Sequence, residues 1–450
     1  MNIIIVGSGA VGATICGQLA KEGHNIVVID TDEGAINEIS NSSDVTGIIG
    51  NGADISVLRE AGAEDADLLI AVTNGDEVNI LCCYAAKKLG TLHTVARVRN
   101  PEYNDLLTLT GDDMGISMTV NPEHTVATQI ARILKFPSAT RLDTFCGGRV
   151  ELAEFTVSKK SAICGASLYN IRKALTSKFL VCSVRRGEEI YIPNGDFVIE
   201  EGDDVCITAS EEEMVKFFKE EGSYKRPANE LLIVGGGRTT YYLGELLKKT
   251  HINVVAIEKD RRLCRELAEE FSFTVINANG TNQDLLIEEG IESTDAFLAL
   301  TDEDEENAIV SMFAKTKKVP KIITMIRSLP YIDFFRGVGI ESIVSPKFAT
   351  AEQIIKFVRS LDATHDSEIE SLHRIMGSEV EALEFTVKEP VEGITGIPLK
   401  DLKKKKNTII ACIIHEGNII IPSGSDIISS GDSVIVICVD KKMMSIKDII

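Results

Sequence analysis

A glycine-rich segment near the start of the chain has the residue spacing of a dinucleotide-binding loop. Gly7, Gly9 and Gly12 follow an apolar run and open a stretch with helical periodicity. The first glycine permits a tight turn, the second lets the backbone approach a pyrophosphate, and the third lets helix and strand pack closely. The helix start then presents free N–H groups to the phosphates. The predicted contacts come from Gly7, Ser8, Gly9, Ala10, Val11 and Gly12.

An acidic residue favours ligand binding over the alternative of a glycine turn that serves only packing. Asp30 ends the second apolar run, where a carboxylate accepts hydrogen bonds from ribose hydroxyls. Thr31 follows it, and no arginine in this loop is available for a 2′-phosphate. An NADP-type ligand is therefore disfavoured.

Further polar residues follow the third and fourth predicted strands. Asn51-Gly52 and Thr73-Asn74 lie at the carboxyl edge of the predicted sheet, where ligands bind at a topological switch point. Simple turn chemistry is the alternative, and it is the preferred interpretation for Gly75. Thr73 and Asn74 are the better candidates for hydrogen bonds to a ligand.

Two cations lie on the fifth predicted strand. Arg97 and Arg99 are two residues apart, so both point to one face of the sheet. A cation on a buried strand is unfavourable unless it meets an anion, and a phosphate supplies one. The alternative is a structural ion pair with a carboxylate such as Asp76.

The same loop recurs 228 residues later. The second loop contains Gly235, Gly236, Gly237, Arg238 and Thr239. It has Thr240 in place of the third motif glycine, which crowds the helix against the strand. Arg238 replaces Ala10 and places a cation where phosphates would lie.

The rest of the second pocket also differs from the first. Glu258 replaces Asp30, and Met325 replaces Arg97, while Arg327 keeps the position of Arg99. This pocket either binds a nucleotide in a shifted pose or serves only as a scaffold.

Alternating strand and helix patterns position these residues. Strand-length apolar runs occur at 2–6, 25–30, 45–49, 68–72, 92–98 and 116–120, with helical stretches such as 10–22 and 78–89 between them. This order predicts an α/β fold with a Rossmann-like, doubly wound parallel sheet, repeated from residue 230 to about 344. Helix starts at Asn121-Pro122 and Ser345-Pro346 follow the two sheets. These helices could leave their own domain and cross to a neighbour.

A small α+β module follows each Rossmann-like unit. The segment 154–157 matches 384–387, and similar turns recur further on. The predicted domains are 1–138, 149–222, 229–361 and 378–450, with a polar connector at 362–377. The chain is thus a tandem duplication.

Composition limits the functional class. The net charge of −21 argues against a nucleic-acid partner and suits docking onto basic surfaces, such as the cytoplasmic loops of membrane proteins. The ten cysteines are scattered and indicate buried, reduced thiols. Apolar runs are too short to span a bilayer, and the first strand leaves no room for a signal peptide. We therefore predict a cytoplasmic protein. His365 and His373 are predicted to be solvated, and no metal site is expected.

The duplicated arrangement resembles the TrkA family, peripheral regulatory subunits of Trk-type potassium uptake systems with two RCK (or KTN) domains, each an N-lobe and a C-lobe. The resemblance extends essentially from end to end. Its most specific carriers are the segments 3–9, 28–32, 58–67 and 96–99.

The resemblance implies a regulator at the inner face of the cell membrane. NAD(H), ATP or ADP would bind the N-lobes, and a homo-tetramer with a ring of eight RCK domains would act on a potassium-translocating membrane subunit. The implied nucleotide positions are Gly7 to Val11, Asp30, Thr73, Asn74 and Arg97 in the first half, and Gly235 to Thr239 and Glu258 in the second. The helices after Pro122 and Pro346 would join neighbouring N-lobes.

Two other functions compete with this expectation. An NAD-dependent oxidoreductase needs an acid/base residue beside the nicotinamide, and the repeated small modules share no His or Lys. A nucleotide sensor with a soluble partner is harder to separate by sequence. We expect no catalytic residues.

Overall fold

The structure is a computed structural model that describes residues 1–103, 107, 113–340, 342–362, 367–376, 379–439 and 443–450. These residues form two compact units. One contains Met1–Val126 with Ser345–Val358, and the other contains Ala127–Val344 with Arg359–Ile450. His365 and residue 378, where the last domain was predicted to begin, lie outside the described residues.

The first unit contains a six-stranded parallel sheet. Its strands are β1 (Asn2–Val6), β2 (Asn25–Asp30), β3 (Thr46–Ile49), β4 (Leu68–Ala71), β5 (His93–Arg97) and β6 (Met118–Val120). Helices α1 (Ala10–Lys21), α2 (Glu33–Ser42), α3 (Ile55–Glu60) and α4 (Asp76–Leu89) alternate with them. The strand order is β3-β2-β1-β4-β5-β6, the order of a dinucleotide-binding fold.

Buried aliphatic runs explain why β1 is the central strand of this sheet. Ile4 aligns with Val27 of β2 on one side and with Leu69 of β4 on the other. Such strands are buried on both faces, so they are apolar throughout. Successive strands are added on one side of β1 up to β3 and on its other side from β4 onward, and this switch creates a crevice at the carboxyl ends of β1 and β4. The predicted Rossmann-like sheet is confirmed.

A small antiparallel sheet follows α5 (Pro122–Lys135). Its strands are β7 (Arg141–Phe145), β8 (Val150–Thr156), β9 (Leu180–Arg186), β10 (Glu189–Tyr191) and β11 (Asp204–Ala209), in the order β10-β9-β11-β8-β7. A 3-10 turn at Cys146–Gly148, α6 (Leu168–Ala174) and α7 (Glu211–Glu221) complete the module. Ser210 caps α7 by accepting a hydrogen bond from the Glu213 N–H.

The second Rossmann-like sheet has the same topology as the first. Its strands are β12 (Glu230–Val234), β13 (Asn253–Glu258), β14 (Thr274–Asn277), β15 (Ala296–Ala299), β16 (Lys321–Met325) and β17 (Ser342–Val344). Its helices are α8 (Arg238–Leu247), α9 (Arg261–Glu270), α10 (Gln283–Glu288), α11 (Asp304–Thr316) and α12 (Leu329–Gly337). The order β14-β13-β12-β15-β16-β17 confirms the tandem duplication of the fold.

Helix α13 (Pro346–Asp362) packs on the first Rossmann-like sheet, although it follows the second one in the chain. Its buried side chains Ala351, Ile354, Ile355 and Val358 belong to the core of the first sheet, together with residues such as Ile3. The Gln353 amide also donates to the Thr125 hydroxyl at 3.0 Å. This helix therefore crosses to the other Rossmann-like domain.

A second small antiparallel sheet ends the chain. Its strands are β18 (Ser367–Ile375), β19 (Val380–Val387), β20 (Thr408–His415), β21 (Asn418–Ile420) and β22 (Ser433–Cys438), in the order β18-β19-β22-β20-β21, and a 3-10 turn follows at Ile446–Ile449. The two small sheets share one apolar core, in which Phe145 and Leu152 join Ile375 and Ala382.

Two expectations for the segment 362–377 are wrong. It contains β18 rather than only a polar connector, because its backbone pairs along β19. His373 is not solvated, since its Nδ1 lies 3.2 Å from the buried Asp143 carboxylate. All ten cysteines are free thiols. Among the described residues, no helix has both the length and the apolar character needed to cross a membrane.

Candidate nucleotide-binding crevices

The first glycine loop is held tightly between β1 and α1. Gly7 has a φ of +105°, a conformation that favours glycine, and its N–H donates to the Ile29 carbonyl at 2.9 Å. A Cβ on Gly12 would lie 1.8 Å from the Gly7 carbonyl oxygen. Both glycines are therefore required by the packing of the loop itself.

Gly9 has a different role from its two neighbours in the motif. A Cβ on Gly9 would meet no atom within 4 Å, and this residue begins α1 without a side-chain cap. The N–H groups of the first helical turn, which includes the exposed Ala10 and the buried Val11, have no intrahelical acceptor. The open space over Gly9 fits a phosphate that approaches these groups.

Asp30 lies directly beside this loop. Its carboxylate accepts hydrogen bonds from the Ser8 N–H at 2.6 Å, the Ser8 hydroxyl at 2.7 Å and the Asp32 N–H at 3.1 Å. Partial burial opposes ionisation, but these hydrogen bonds outweigh it and lower the pKa of Asp30. The loop thus holds an ionised acceptor next to the glycine turn. Thr31 is exposed beside it.

Asn51 and Gly52 make contacts typical of a turn. The Asn51 side-chain oxygen accepts from the Ala53 N–H at 3.0 Å. A Cβ on Gly52 would lie 2.2 Å from the side chain of Val6, so glycine allows this turn to approach β1. In this structure both residues therefore form the turn that follows β3.

The turn after β4 is organised by a residue that the sequence analysis did not assign to the site. The Asn79 side-chain oxygen accepts from the Thr73 N–H at 2.8 Å and from its hydroxyl at 2.7 Å. The Asn79 amide donates to the carbonyl oxygens of Thr73 and Arg97. Asn307 makes the same set of contacts in the second copy, so recurrence at the repeat offset was the available signal.

Arg97 is a buried cation at the carboxyl end of β5. Only 7% of its surface is exposed, and its guanidinium donates to the Thr73 carbonyl and, at 3.3 Å, to the Asn74 side-chain oxygen. Its Nε is buried without a hydrogen-bond partner in the described part of the chain. Burial, and then the nearby Arg99, lower the pKa of Arg97 to about 10. An anion in the crevice would relieve both effects.

Arg99 has the structural partner that the sequence analysis left open. Its Nε lies 3.5 Å from the buried Asp76 carboxylate, and its backbone N–H donates to the same carboxylate at 2.8 Å. Its guanidinium also donates to the Asn74 carbonyl. Arg99 therefore stabilises the turn, whereas Arg97 remains the better candidate for a phosphate.

The second glycine loop keeps the turn but changes the helix contact. Gly235 has a φ of +107°, and the buried Thr240 hydroxyl donates to the Gly235 carbonyl at 2.6 Å. The Thr240 side chain is thus accommodated at the position where, in the first loop, a Cβ on Gly12 would collide with the Gly7 carbonyl oxygen. Thr239 is buried against the sulfur of Met325, and Arg238 is exposed.

Glu258 repeats the position of Asp30. Its carboxylate accepts from the Gly236 N–H at 2.6 Å and from the Asp260 N–H at 2.7 Å. Glu258 and Gly237 both line a cavity of about 260 Å³. A Cβ on Gly237 would meet no atom within 4 Å, as at Gly9.

Domain families agree with these two crevices and the modules that follow them. The TrkA-N domain matches residues 3–122 and 231–346, and the TrkA-C domain matches residues 152–222 and 383–450. The chain belongs to the TrkA family. Each TrkA-N match contains one glycine loop, and each TrkA-C match lies on one small sheet.

Relatives of this TrkA-family chain are similar over their whole length. The chain is 32% identical to "Trk system potassium uptake protein TrkA homolog 2" of Methanosarcina mazei, with 99% of each chain covered. It is 33% identical to "Trk system potassium uptake protein TrkA" of Halomonas elongata, covering 98% of this chain and 96% of that one.

Solved structures share the fold at lower identity. The GsuK channel bound to NAD superposes with a TM-score of 0.62 at 16% identity, covering 98% of this chain and 77% of that one. The GsuK RCK domain has the same TM-score and identity, covering 97% of this chain and 92% of that one. The TrkA-family chain therefore has a tandem RCK fold.

Proposed function

We propose that this chain is a cytoplasmic regulatory subunit of a potassium transporter, controlled by an adenine nucleotide in its first crevice. The relatives named as potassium uptake proteins support the transport role. A GsuK structure bound to NAD and another bound to ADP support nucleotides as the ligand class. NAD(H) is the first candidate ligand, and ATP and ADP compete for the same site.

One observation carries the proposal to this chain: the first crevice combines three complementary groups at its switch point. The turn over Gly9 is open, Asp30 is held ionised, and Arg97 is buried with an unsatisfied Nε. These groups suit a phosphate chain linked to a ribose. We assign these groups to binding alone, with no chemical conversion of the nucleotide. In this proposal the nucleotide acts as a regulator.

The proposed mechanism is a shift between two shapes of a ring. A ligand moves such an equilibrium only by its difference in affinity for the two states, and a tenfold difference supplies about 1.4 kcal/mol per site. In a homo-tetramer with eight RCK domains, the free energies from several occupied sites add together. The membrane subunit, a Trk-type potassium translocator, would respond to the ring at the inner face of the membrane.

The γ-phosphate is the proposed difference between ATP and ADP. Near Arg97 it would gain charge-assisted hydrogen bonds that ADP does not reproduce in the same geometry. Arg97→Met, which introduces the residue found at position 325, should therefore equalise the effects of ATP and ADP on potassium transport. Calorimetric titration of NAD, NADH, ATP and ADP should show the same loss of discrimination.

Met325→Leu is the matched control, because it changes the equivalent position of the second copy without altering charge. Retained ATP/ADP discrimination in Arg97→Met would refute the role of Arg97. Turnover in a hydride-transfer assay would favour an oxidoreductase instead. Co-purification with a soluble protein, and not with a membrane protein, would favour a free-standing sensor.

A further inference from the structure

The cavity in the second Rossmann-like domain is small and partly apolar. Its volume of about 260 Å³ lies below the roughly 300–1,000 Å³ typical of pockets for drug-sized ligands. Five aliphatic residues contribute to its wall: Val234, Ile257, Leu263, Leu300 and Val310. The cavity therefore has room for one base and its sugar rather than for a dinucleotide.

Glu258 provides the acceptor that a sugar requires. It is only 9% exposed, lines the cavity, and is oriented by the N–H groups of Gly236 and Asp260. A carboxylate offers about four lone-pair sites, so hydroxyl groups can still donate to it. This part of the site keeps the chemistry of Asp30 in the first crevice.

The second crevice carries negative charges near the place where phosphates would lie, and the first crevice does not. Asp302, Glu303 and Glu306 line the cavity, at positions that the repeat offset assigns to Asn74, Gly75 and Val78 in the first copy. Three carboxylates thus replace three uncharged residues.

Nearby cations balance only part of this negative charge. Met325 stands where the first copy has Arg97, and the guanidinium of Arg327 is already bound to Asp302. Lys259 lines the cavity beside Asp260, and Arg238 is exposed and is not among its lining residues.

A bridging metal ion does not explain the acidic residues. Within the described residues, no three His, Cys, Asp or Glu side chains are grouped so that they could hold a metal ion. A polyphosphate would therefore face like charges at short range, which weakens binding. A neutral ligand avoids this repulsion and keeps the bonds to Glu258.

We propose that the second crevice binds an uncharged nucleoside and discriminates against nucleotides that carry a polyphosphate. The two crevices of one chain would then sense different ligands. This inference concerns a separate site, so it holds whether or not the first crevice binds a nucleotide.

Calorimetry on the full chain in EDTA, with adenosine and ADP as probes, tests the proposal. Adenosine should bind, and Glu258→Gln should weaken its binding by tenfold or more, while Glu269→Gln, an exposed change on α9, leaves it unchanged. The triple variant Asp302→Asn, Glu303→Gly, Glu306→Val recreates the residues of the first copy. It should bind one more ADP per chain than the wild type does.

Three results would overturn the proposal. Adenosine could fail to bind. Alternatively, the single variant Glu258→Gln could weaken the binding of ADP as strongly as the binding of adenosine. A folded triple variant could also gain no ADP. Repeating the titration with magnesium adds one further test, because Glu258-dependent binding of Mg-ADP to the wild type would also overturn it. The proposed function of the first crevice is tested separately. It fails if Asp30→Asn does not weaken the binding of ADP.

Discussion

The two glycine loops show how one side chain changes the contact between a helix and a strand. At Gly12 a single added carbon would collide with the Gly7 carbonyl. At Thr240 a larger side chain is accommodated because its hydroxyl donates to the equivalent carbonyl of Gly235. The same backbone motif therefore allows two local solutions, and only the first retains all three glycines.

Separate replacements of Gly9 and Gly12 should have different effects: the first should weaken ligand binding, and the second should lower the stability of the fold. Gly9→Ala adds a carbon into open space, so the melting temperature should stay within about 2 °C while nucleotide affinity falls at least tenfold. Gly12→Ala should destabilise the chain by roughly 1–3 kcal/mol, since overpacking forces the backbone to move. Thermal melts and ADP titrations on both variants check this, and equal melting temperatures for the two would contradict it.

Glu151 should make stability depend on pH. Its side chain is 4% exposed and its Oε2 has no hydrogen-bond partner in the described part of the chain. Burial, and then Glu211, raise the pKa of Glu151 from 4.5 to about 7, against the opposing charges of Lys135 and Arg132. The folded chain therefore keeps an extra proton between these pH values, and stability falls as pH rises through that window.

Glu151→Gln removes this titration and keeps the shape of the side chain. The contribution of Glu151 to the loss of stability between pH 4.5 and 7, on the order of 3 kcal/mol, should be absent in the variant. Urea unfolding at several pH values measures it. Glu212→Gln, an exposed change on α7, serves as the control, and parallel pH profiles for the wild type and Glu151→Gln would disprove the assignment.

At the scale of elements, the crossover of α13 is the main feature that strand and helix order leaves open. Its apolar stripe indicates that one face of the helix is buried, but the stripe does not indicate which sheet the helix packs on. The structure places Ile354 and Ile355 among the core side chains of the first sheet, where both are fully buried. The helix thus contributes to the stability of a domain whose other elements lie far away in the sequence.

Ile354→Ala should destabilise the first Rossmann-like domain by about 2–5 kcal/mol, through lost burial and the cavity left behind. Hydrogen exchange should then increase in β1 and β2 rather than in β12 and β13. Ile287→Ala on α10 is the control, because that side chain is 42% exposed and should change stability by less than about 0.5 kcal/mol. Faster exchange in β12 instead would show that α13 stabilises its own sheet.

On the scale of the whole molecule, equivalent surfaces of the two copies support assembly into a ring. Leu81 and Tyr84 are exposed on α4, and Ile309 and Met312 are exposed at the same repeat positions on α11. We predict that these apolar residues, which are exposed in both copies, contact other RCK domains in the proposed ring. A closed ring needs such repeated surfaces.

Placing charge on both helices should break this assembly. The double variant Leu81→Glu, Ile309→Glu should reduce the mass measured by light scattering to that of a smaller oligomer or a single chain, because a buried unpaired charge opposes the contact. Leu246→Glu changes another exposed apolar residue, on α8, and should leave the mass unchanged. An unaltered mass for the double variant would place the interface elsewhere.

Local patterns were sufficient for the elements of the fold and for the position of the crevices. The glycine spacing, the acidic ends of the second strands and the repeat offset predicted two Rossmann-like sheets, because these signals depend on neighbouring residues. The contacts of the polar side chains could not be predicted in the same way. Arg97 and Arg99 carry the same charge and lie two residues apart, yet of the two only Arg99 forms an ion pair with Asp76.

By itself, the sequence determined the duplicated α/β architecture, the two glycine loops and the loss of the third glycine at Thr240. Only the tertiary structure decided which core the predicted crossover helix α13 joins, that β18 forms within an expected connector, and that Asn79 organises the first crevice. These features depend on contacts between residues far apart in the chain. Such contacts are selected by packing and hydrogen bonding in three dimensions, and local periodicity does not record them.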